Sequence, residues 1–103
     1  MALAGYAQPP GGFDSPEPGA RLYAVAAAAR TGDREAIPSL VALLESDDPA
    51  VRMLSIRTLE RLTGQTLDYD HAAPEWKRRD AVGRWIDWYR SQPGPVRPST
   101  ATP

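Results

Sequence analysis

The chain has 103 residues, enough for one domain whose core is only just large enough to fold alone. Its 12 basic and 13 acidic residues leave a net charge of −1, which gives no sign of the basic surface that a polyanion such as DNA would need. The absence of cysteine excludes disulfides and thiolate metal sites, and no apolar run approaches the roughly 18 to 20 residues that cross a bilayer.

Both ends of the chain are predicted to be arms without regular structure. Residues 1–15 form a flexible N-terminal arm, and the proline-rich tail 92–103 is expected to be disordered. The stretch Leu3-Ala4-Gly5 is similar to the end of a bacterial lipoprotein signal, but Tyr6 stands where the lipidated cysteine would be. We therefore expect a flexible leader on a soluble chain of the cytoplasm or the cell envelope.

The first two predicted helices follow the N-terminal arm. The first covers about 18 to 30, and Gly32 and Asp33 then provide the end of one helix and the cap of the next. The second covers about 34 to 45. Pro38 in its opening turns is expected to cost a hydrogen bond or bend the helix axis.

The third helix carries its own start and stop signals. Asp48 is placed to cap it, Pro49 falls at the first helical position, and Gly64 follows its last residues as a left-handed cap. Met53 and Ile56 point away from its main apolar face, so we expect neighbours on more than one side of this helix. The main face consists of Val51, Leu54, Ser55, Thr58, Leu59 and Leu62.

A fourth helix follows an irregular segment. Residues 65–73 lack periodicity, and the helix then begins at Pro74 or Glu75 and ends near Ser91. Its apolar stripe is rich in aromatic residues. Together with the earlier helices it gives a predicted core of Leu40, Leu44, Leu54, Leu59, Leu62, Val82, Trp85, Ile86 and Tyr89.

The first and third helices are related by an internal repeat. When the chain is shifted by 31 residues, four identities coincide and the residues between them match in character. Such a repeat indicates stacked helix pairs, each of which buries its apolar face against the other. The identical positions are Ser15, Pro18, Arg21 and Arg30 against Ser46, Pro49, Arg52 and Arg61.

Two motifs accompany the repeat, Asp48-Pro49-x-Val51-Arg52 with Leu59, and Ala36-Ile37-Pro38-x-Leu40-x-x-Leu43-Leu44. With these motifs the chain resembles the HEAT-repeat family, in particular the short bacterial, phycobilisome-lyase-type repeats. The resemblance implies an all-α fold, an α-solenoid fragment of two helical hairpins and four helices. Repeat one is 16–45, and repeat two is 46–91 with the insertion 65–73.

The chain departs from the family pattern in having two repeats instead of many. Solenoids generally need about three repeats or a cap for stability. We expect the fourth helix to provide that cap, because indole rings bury large apolar areas.

The insertion holds the one concentrated polar cluster of the sequence, Asp68, Asp70 and His71. These groups could serve as metal ligands or as an acid–base pair. The simpler interpretation is that Asp70 caps a turn, Tyr69 folds back onto the core and His71 is solvated. We expect no catalytic residue, no cofactor and no metal site.

The repeated arginines have two interpretations. Arg21 and Arg52 could bind an acidic partner, or they could cross-link the repeats through a carboxylate of Asp47, Asp48 or Glu17. We favour the cross-link and retain both arginines, with Arg57, as candidate partner-binding residues.

Trp76 lies off the apolar stripe of the fourth helix. It either packs beneath the 65–73 insertion, which we slightly favour, or is exposed as an anchor for another protein. The nearby run Lys77-Arg78-Arg79 spreads around the helix with acidic neighbours, so we expect a solvated face and no nucleic-acid partner.

The sequence therefore predicts a non-enzymatic scaffold or adaptor that binds another protein and exists as a monomer or weak homodimer. The alternatives are an accessory subunit of a lyase-type enzyme, which the resemblance implies for related repeats, and a weak nucleic-acid-binding protein.

Overall fold

The computed structural model describes residues 12 to 93, and this part of the chain is helical, without a strand. Its α-helices are α1 (Pro18–Thr31), α2 (Ile37–Leu43), α3 (Pro49–Thr63) and α4 (Glu75–Arg90). Short 3-10 turns, Gly12–Asp14 and Arg34–Ala36, precede α1 and α2. The expectations for Leu3 to Tyr6 and for most of the two arms lie outside the described residues. For residues 12–15 the predicted flexible arm is wrong, because Phe13 in the first 3-10 turn packs against the core and Ser15 is buried.

Helix α3 begins and ends as the sequence predicts. An Asp48 carboxylate oxygen accepts a hydrogen bond from the backbone N–H of Ala50 at 2.9 Å, and Pro49 occupies the first turn. At the other end Gly64 has a left-handed φ of 82°, and its N–H donates to the carbonyl oxygen of Glu60 at 2.7 Å. A residue with a Cβ would be strained in that conformation, so glycine sets the end of the helix.

The second helical segment is shorter than expected. The sequence predicts a helix over about 34 to 45, but the structure contains the 3-10 turn Arg34–Ala36 followed by α2, which ends at Leu43. Pro38 lies in the first turn of α2 and has no N–H to donate to residue 34, so α-helical bonding begins only beyond it. Asp33 caps the turn by accepting a hydrogen bond from the N–H of Glu35 at 3.0 Å.

Helix α3 is the central element of the packing, because it contacts both α1 and α2. Val51 and Leu59 on its main face are fully buried, and Ile56 on another side is 6% exposed. Helix α3 therefore has neighbours on more than one side, as the sequence predicts. Helix α2 also contacts α4, which completes the core.

The predicted core agrees with the structure except on α4. Leu54 and Leu62 are partly buried and pack against the core. Ile86 and Tyr89 are 38% and 44% exposed, so the assignment of these two residues to the core is wrong. The buried side of α4 is centred on Trp85 and extends towards Trp88. The two indole rings pack edge-to-face, with their centroids 5.5 Å apart. The other predicted core residues are buried, namely Leu40, Leu44, Leu59, Val82 and Trp85.

The 65–73 segment is an integral part of the core. Tyr69 is 5% exposed, and its hydroxyl donates to the carbonyl oxygen of Leu44 at 2.6 Å. The indole Nε1 of Trp85 donates to the carbonyl oxygen of Thr66 at 2.9 Å. Arg78, one turn into α4, donates to the carbonyl oxygen of Ala73. Helix α4 therefore runs antiparallel to the segment and is fastened to it at both ends of their contact.

Between residues 12 and 93, none of the helices has the length and apolar character that crossing a membrane requires.

Candidate interaction surface

The two repeated arginines make equivalent hydrogen bonds. Arg21 Nη1 donates to the carbonyl oxygen of Ser15 at 2.7 Å, and Arg52 Nη1 donates to that of Ser46 at 2.9 Å. We call each of these bonds an arginine clasp, because each ties the first turn of a helix to the chain that leads into it. The clasps show that the 31-residue register of the sequence is also a register of the structure.

The buried position of Arg52 corrects its assignment as a partner-binding residue. This side chain is only 9% exposed, and its Nε donates to the carbonyl oxygen of His71 at 3.2 Å, so its donors are directed into the protein. The expected cross-link to a carboxylate of Asp47, Asp48 or Glu17 is also wrong. Within the described residues the one ion pair joins Arg79 to Glu75, 2.6 Å apart on the surface of α4.

The other two candidate arginines differ in exposure. Arg21 is half-buried, and its Nε is a buried donor with no acceptor among residues 12 to 93. Contact between its guanidinium and a partner stays a prediction. Arg57 is exposed on α3, and its contact with a partner stays a prediction.

Trp76 is exposed, which excludes the interpretation that it packs beneath the 65–73 segment. It is 64% exposed in the first turn of α4 and forms one wall of an open depression of about 360 Å³. We call this depression the Trp76 hollow. Its polar and aromatic lining consists of Asp68, Asp70, Trp76, Lys77, Asp80 and Arg84.

The rim of the Trp76 hollow is held by Arg84. Leu67 and Asp68 have positive φ values of 55° and 64°, a conformation that is uncommon for residues other than glycine. Arg84 Nε donates to the carbonyl oxygen of Leu67 at 2.8 Å and so fixes this turn against α4. The turn places the Asp68 side chain beside the hollow.

Part of this site could have been found from the sequence. Trp76, Asp80 and Arg84 are spaced at i, i+4 and i+8, which places them on one face of a helix. The contributions of Asp68 and Asp70 depend on the path of the 65–73 segment and carry no comparable local signal.

Within the polar cluster of the insertion, the Asp70 side chain has a structural role. An Asp70 carboxylate oxygen accepts a hydrogen bond from the N–H of Ala72 at 2.9 Å, which closes a turn. Tyr69 packs in the core, and His71 is partly exposed while its carbonyl oxygen accepts the bond from Arg52. Over residues 12 to 93, no three potential metal-ligating side chains are grouped so that they could hold an ion.

The stacked helices and the repeated arginine clasp define an all-α helical repeat protein of the solenoid class. Comparison with known families gives a match between residues 12–82 and the family described as HEAT repeats. Because this match covers more than half of the chain, the chain belongs to the HEAT-repeat family. No significant match was found among curated proteins or among solved structures.

Proposed function

We propose that this protein is a non-enzymatic adaptor that binds another protein at the Trp76 hollow. HEAT repeats generally mediate protein–protein interaction, and membership of the family supports a role of this kind. The observation that carries the proposal is the exposure of Trp76, 64%, beside a concave surface. Large aromatic side chains that can be desolvated in a depression are typical centres of binding energy at protein interfaces.

The position of Trp76 distinguishes it from Tyr89, the other exposed aromatic residue of α4. Tyr89 is 44% exposed at the end of α4, and it does not line the hollow. Trp76 lies at the opposite end of the same helix, beside the 65–73 segment that fastens α4 to the core. The hollow therefore combines an exposed anchor with a rigid support, which lowers the entropic cost of binding.

Affinity capture with matched variants tests the proposal. The wild type, Trp76→Ala and Tyr89→Ala are immobilised in equal amounts, exposed to a lysate of the source cell, and compared by quantitative mass spectrometry. We expect the wild type and Tyr89→Ala to retain the same set of proteins. Trp76→Ala should lose proteins from that set. Equal retention by all three variants would contradict the proposal.

The oligomeric state is measured on the same preparations by light scattering. We expect a monomer or weak homodimer, and Trp76→Ala should not change the mass, because the proposed occupant of the hollow is a different protein. A wild-type dimer that Trp76→Ala converts to a monomer would assign the hollow to a second copy of the chain.

A further inference from the structure

The Trp76 hollow contains carboxylates that have no cationic partner within the described residues. Asp68, Asp70 and Asp80 line it, and none of them forms an ion pair between residues 12 and 93. The guanidinium of Arg84 donates to the carbonyl oxygens of Leu67 and Asp68, so its hydrogen bonds are directed to the backbone of the rim. Lys77 and Arg84 also line the hollow, so three carboxylates meet two cations there, and one net negative charge is left with which a positively charged group can pair.

The indole ring in the same hollow already attracts a cation. Lys77 Nζ lies 5.8 Å from the centroid of the Trp76 ring. A cation over an aromatic face gains about 0.5 to 1 kcal/mol when the site is exposed, and more when binding removes water. The Lys77 side chain is exposed, and lysine carries its charge on a stem with many rotamers, so a cation from a partner can replace it on the ring.

The arrangement suits a side chain better than a metal ion. The carboxylates are not grouped to converge on a metal, as the part of the chain from 12 to 93 has no such group of ligands. A guanidinium is flat, so it can lie on an indole ring while its edge donates two hydrogen bonds to a carboxylate. A volume of about 360 Å³ is at the small end of binding sites, which fits one long side chain with its adjoining backbone.

We propose that the Trp76 hollow binds an arginine side chain presented by an extended segment of a partner protein. This inference rests on the proposed function, because it names the chemistry of the partner at the same site. The guanidinium stacks on the Trp76 ring in place of Lys77, and its N–H groups donate to Asp68 or Asp80. The partner segment is basic, which complements the unpaired carboxylates.

The test uses synthetic pentapeptides and the full chain. The probe is acetyl-Gly-Gly-Arg-Gly-Gly-amide, compared with peptides that carry lysine, citrulline or glutamate at the central position. Binding is followed by NMR through the indole N–H resonance of Trp76 and the backbone resonances of residues 68–80. We expect saturable shifts with the arginine peptide, weaker ones with lysine, and none with citrulline or glutamate.

Carboxylate variants identify the source of the affinity. Asp68→Asn and Asp80→Asn should each weaken the arginine peptide, about tenfold for the carboxylate that accepts the guanidinium bonds, because a charge-assisted bond is replaced by a neutral one. Asparagine also tolerates the positive φ of position 68, so the turn is retained. Asp87→Asn changes an exposed carboxylate of α4 outside the hollow and should leave the affinity unchanged.

Equal shifts with arginine and citrulline would overturn the inference, and so would shifts that Asp68→Asn and Asp80→Asn leave intact. The capture experiment separates this failure from failure of the proposed function. If Trp76→Ala loses partners but the arginine peptide does not bind, the hollow docks a protein through different chemistry. If Trp76→Ala loses no partner, the adaptor role at this site fails as well.

Discussion

Arg21 and Arg52 make the same hydrogen bond 31 residues apart, from Nη1 to the carbonyl oxygen of the serine six residues earlier. They differ at Nε, which in Arg52 donates to the carbonyl oxygen of His71, whereas in Arg21 it is buried without an acceptor among residues 12 to 93. The 65–73 segment supplies that additional acceptor. The two clasps should therefore contribute unequally to stability.

Replacing the two arginines by alanine tests this difference. Arg52→Ala should lower the free energy of unfolding by about 2 to 3 kcal/mol, because it leaves two carbonyl oxygens without a charged donor. Arg21→Ala should cost about 1 kcal/mol, since it removes one such bond together with an unsatisfied donor. Urea unfolding measures both changes, and Arg57→Ala on the exposed side of α3 should stay within about 0.5 kcal/mol of the wild type. A larger loss for Arg21→Ala than for Arg52→Ala would contradict the assignment.

Trp85 is fully buried and should be the most sensitive position of α4. Trp85→Ala should destabilise the protein by about 3 to 5 kcal/mol, because it removes a large buried ring and leaves a cavity. It also removes the donor to the Thr66 carbonyl oxygen. Trp76→Ala is the matched control and should change the free energy of unfolding by less than about 0.5 kcal/mol. A loss below about 1 kcal/mol for Trp85→Ala would show that α4 does not cap the core.

The Tyr69 hydroxyl should contribute stability that depends on pH. Tyr69→Phe should cost about 1 kcal/mol at neutral pH, because the Leu44 carbonyl oxygen loses its donor. Burial raises the pKa of the Tyr69 phenol above its ordinary value, against the smaller opposing effect of the Arg52 cation. The folded state therefore holds this proton more tightly than the unfolded chain does.

The direction of the pH effect follows from this shift. The contribution of Tyr69 is fully present below the ordinary tyrosine pKa of about 10 and is lost as pH rises from there through the folded-state pKa. The difference in stability between the wild type and Tyr69→Phe should therefore shrink above about pH 10. Urea melts of both proteins at pH 8 and at pH 10.5 measure the change, and a constant difference would count against it.

Ser55 offers a substitution that should stabilise the protein. Its side chain is fully buried, and its hydroxyl has no hydrogen-bond partner among residues 12 to 93. Ser55→Ala should raise the free energy of unfolding by up to about 1 kcal/mol, because an unsatisfied polar group leaves the core. The position 31 residues earlier in α1 is already alanine, Ala24. Thr58→Ala serves as the contrast, since the Thr58 hydroxyl donates to the Leu54 carbonyl oxygen at 2.8 Å and its loss should destabilise.

The features that the sequence predicts correctly are those whose causes are local. Asp48 and Gly64 set the ends of α3 through bonds to residues within one turn, so they can be identified without knowing the fold. The repeat is visible because equivalent helices reuse equivalent residues. The shortening of α2 was not predicted in full, since it depends on how the chain bonds around Pro38.

The features that could not be predicted from the sequence depend on the path of the 65–73 segment. Arg52 is buried because this segment brings the His71 carbonyl oxygen to it, and nothing near Arg52 in the sequence indicates that contact. The exposure of Ile86 and Tyr89 likewise reflects which side of α4 the segment and the core occupy. Periodicity locates an apolar stripe, but the neighbours decide which part of it is covered.

The 65–73 segment is present in the second repeat and has no counterpart in the first. This difference determines where a further repeat can be inserted. Residues 15–45 carry a serine, its clasping arginine and a short connection at Gly32, so a duplicate inserted before Ser46 brings its own clasp and its own helix connection. A duplicate of 46–91 instead brings a second Tyr69 and a second Trp85. The extended chain has no second site in its core where these two side chains can be buried. Chains extended by the first route should gain helical circular dichroism in proportion to their length and keep a cooperative thermal transition, whereas those extended by the second should lose cooperativity.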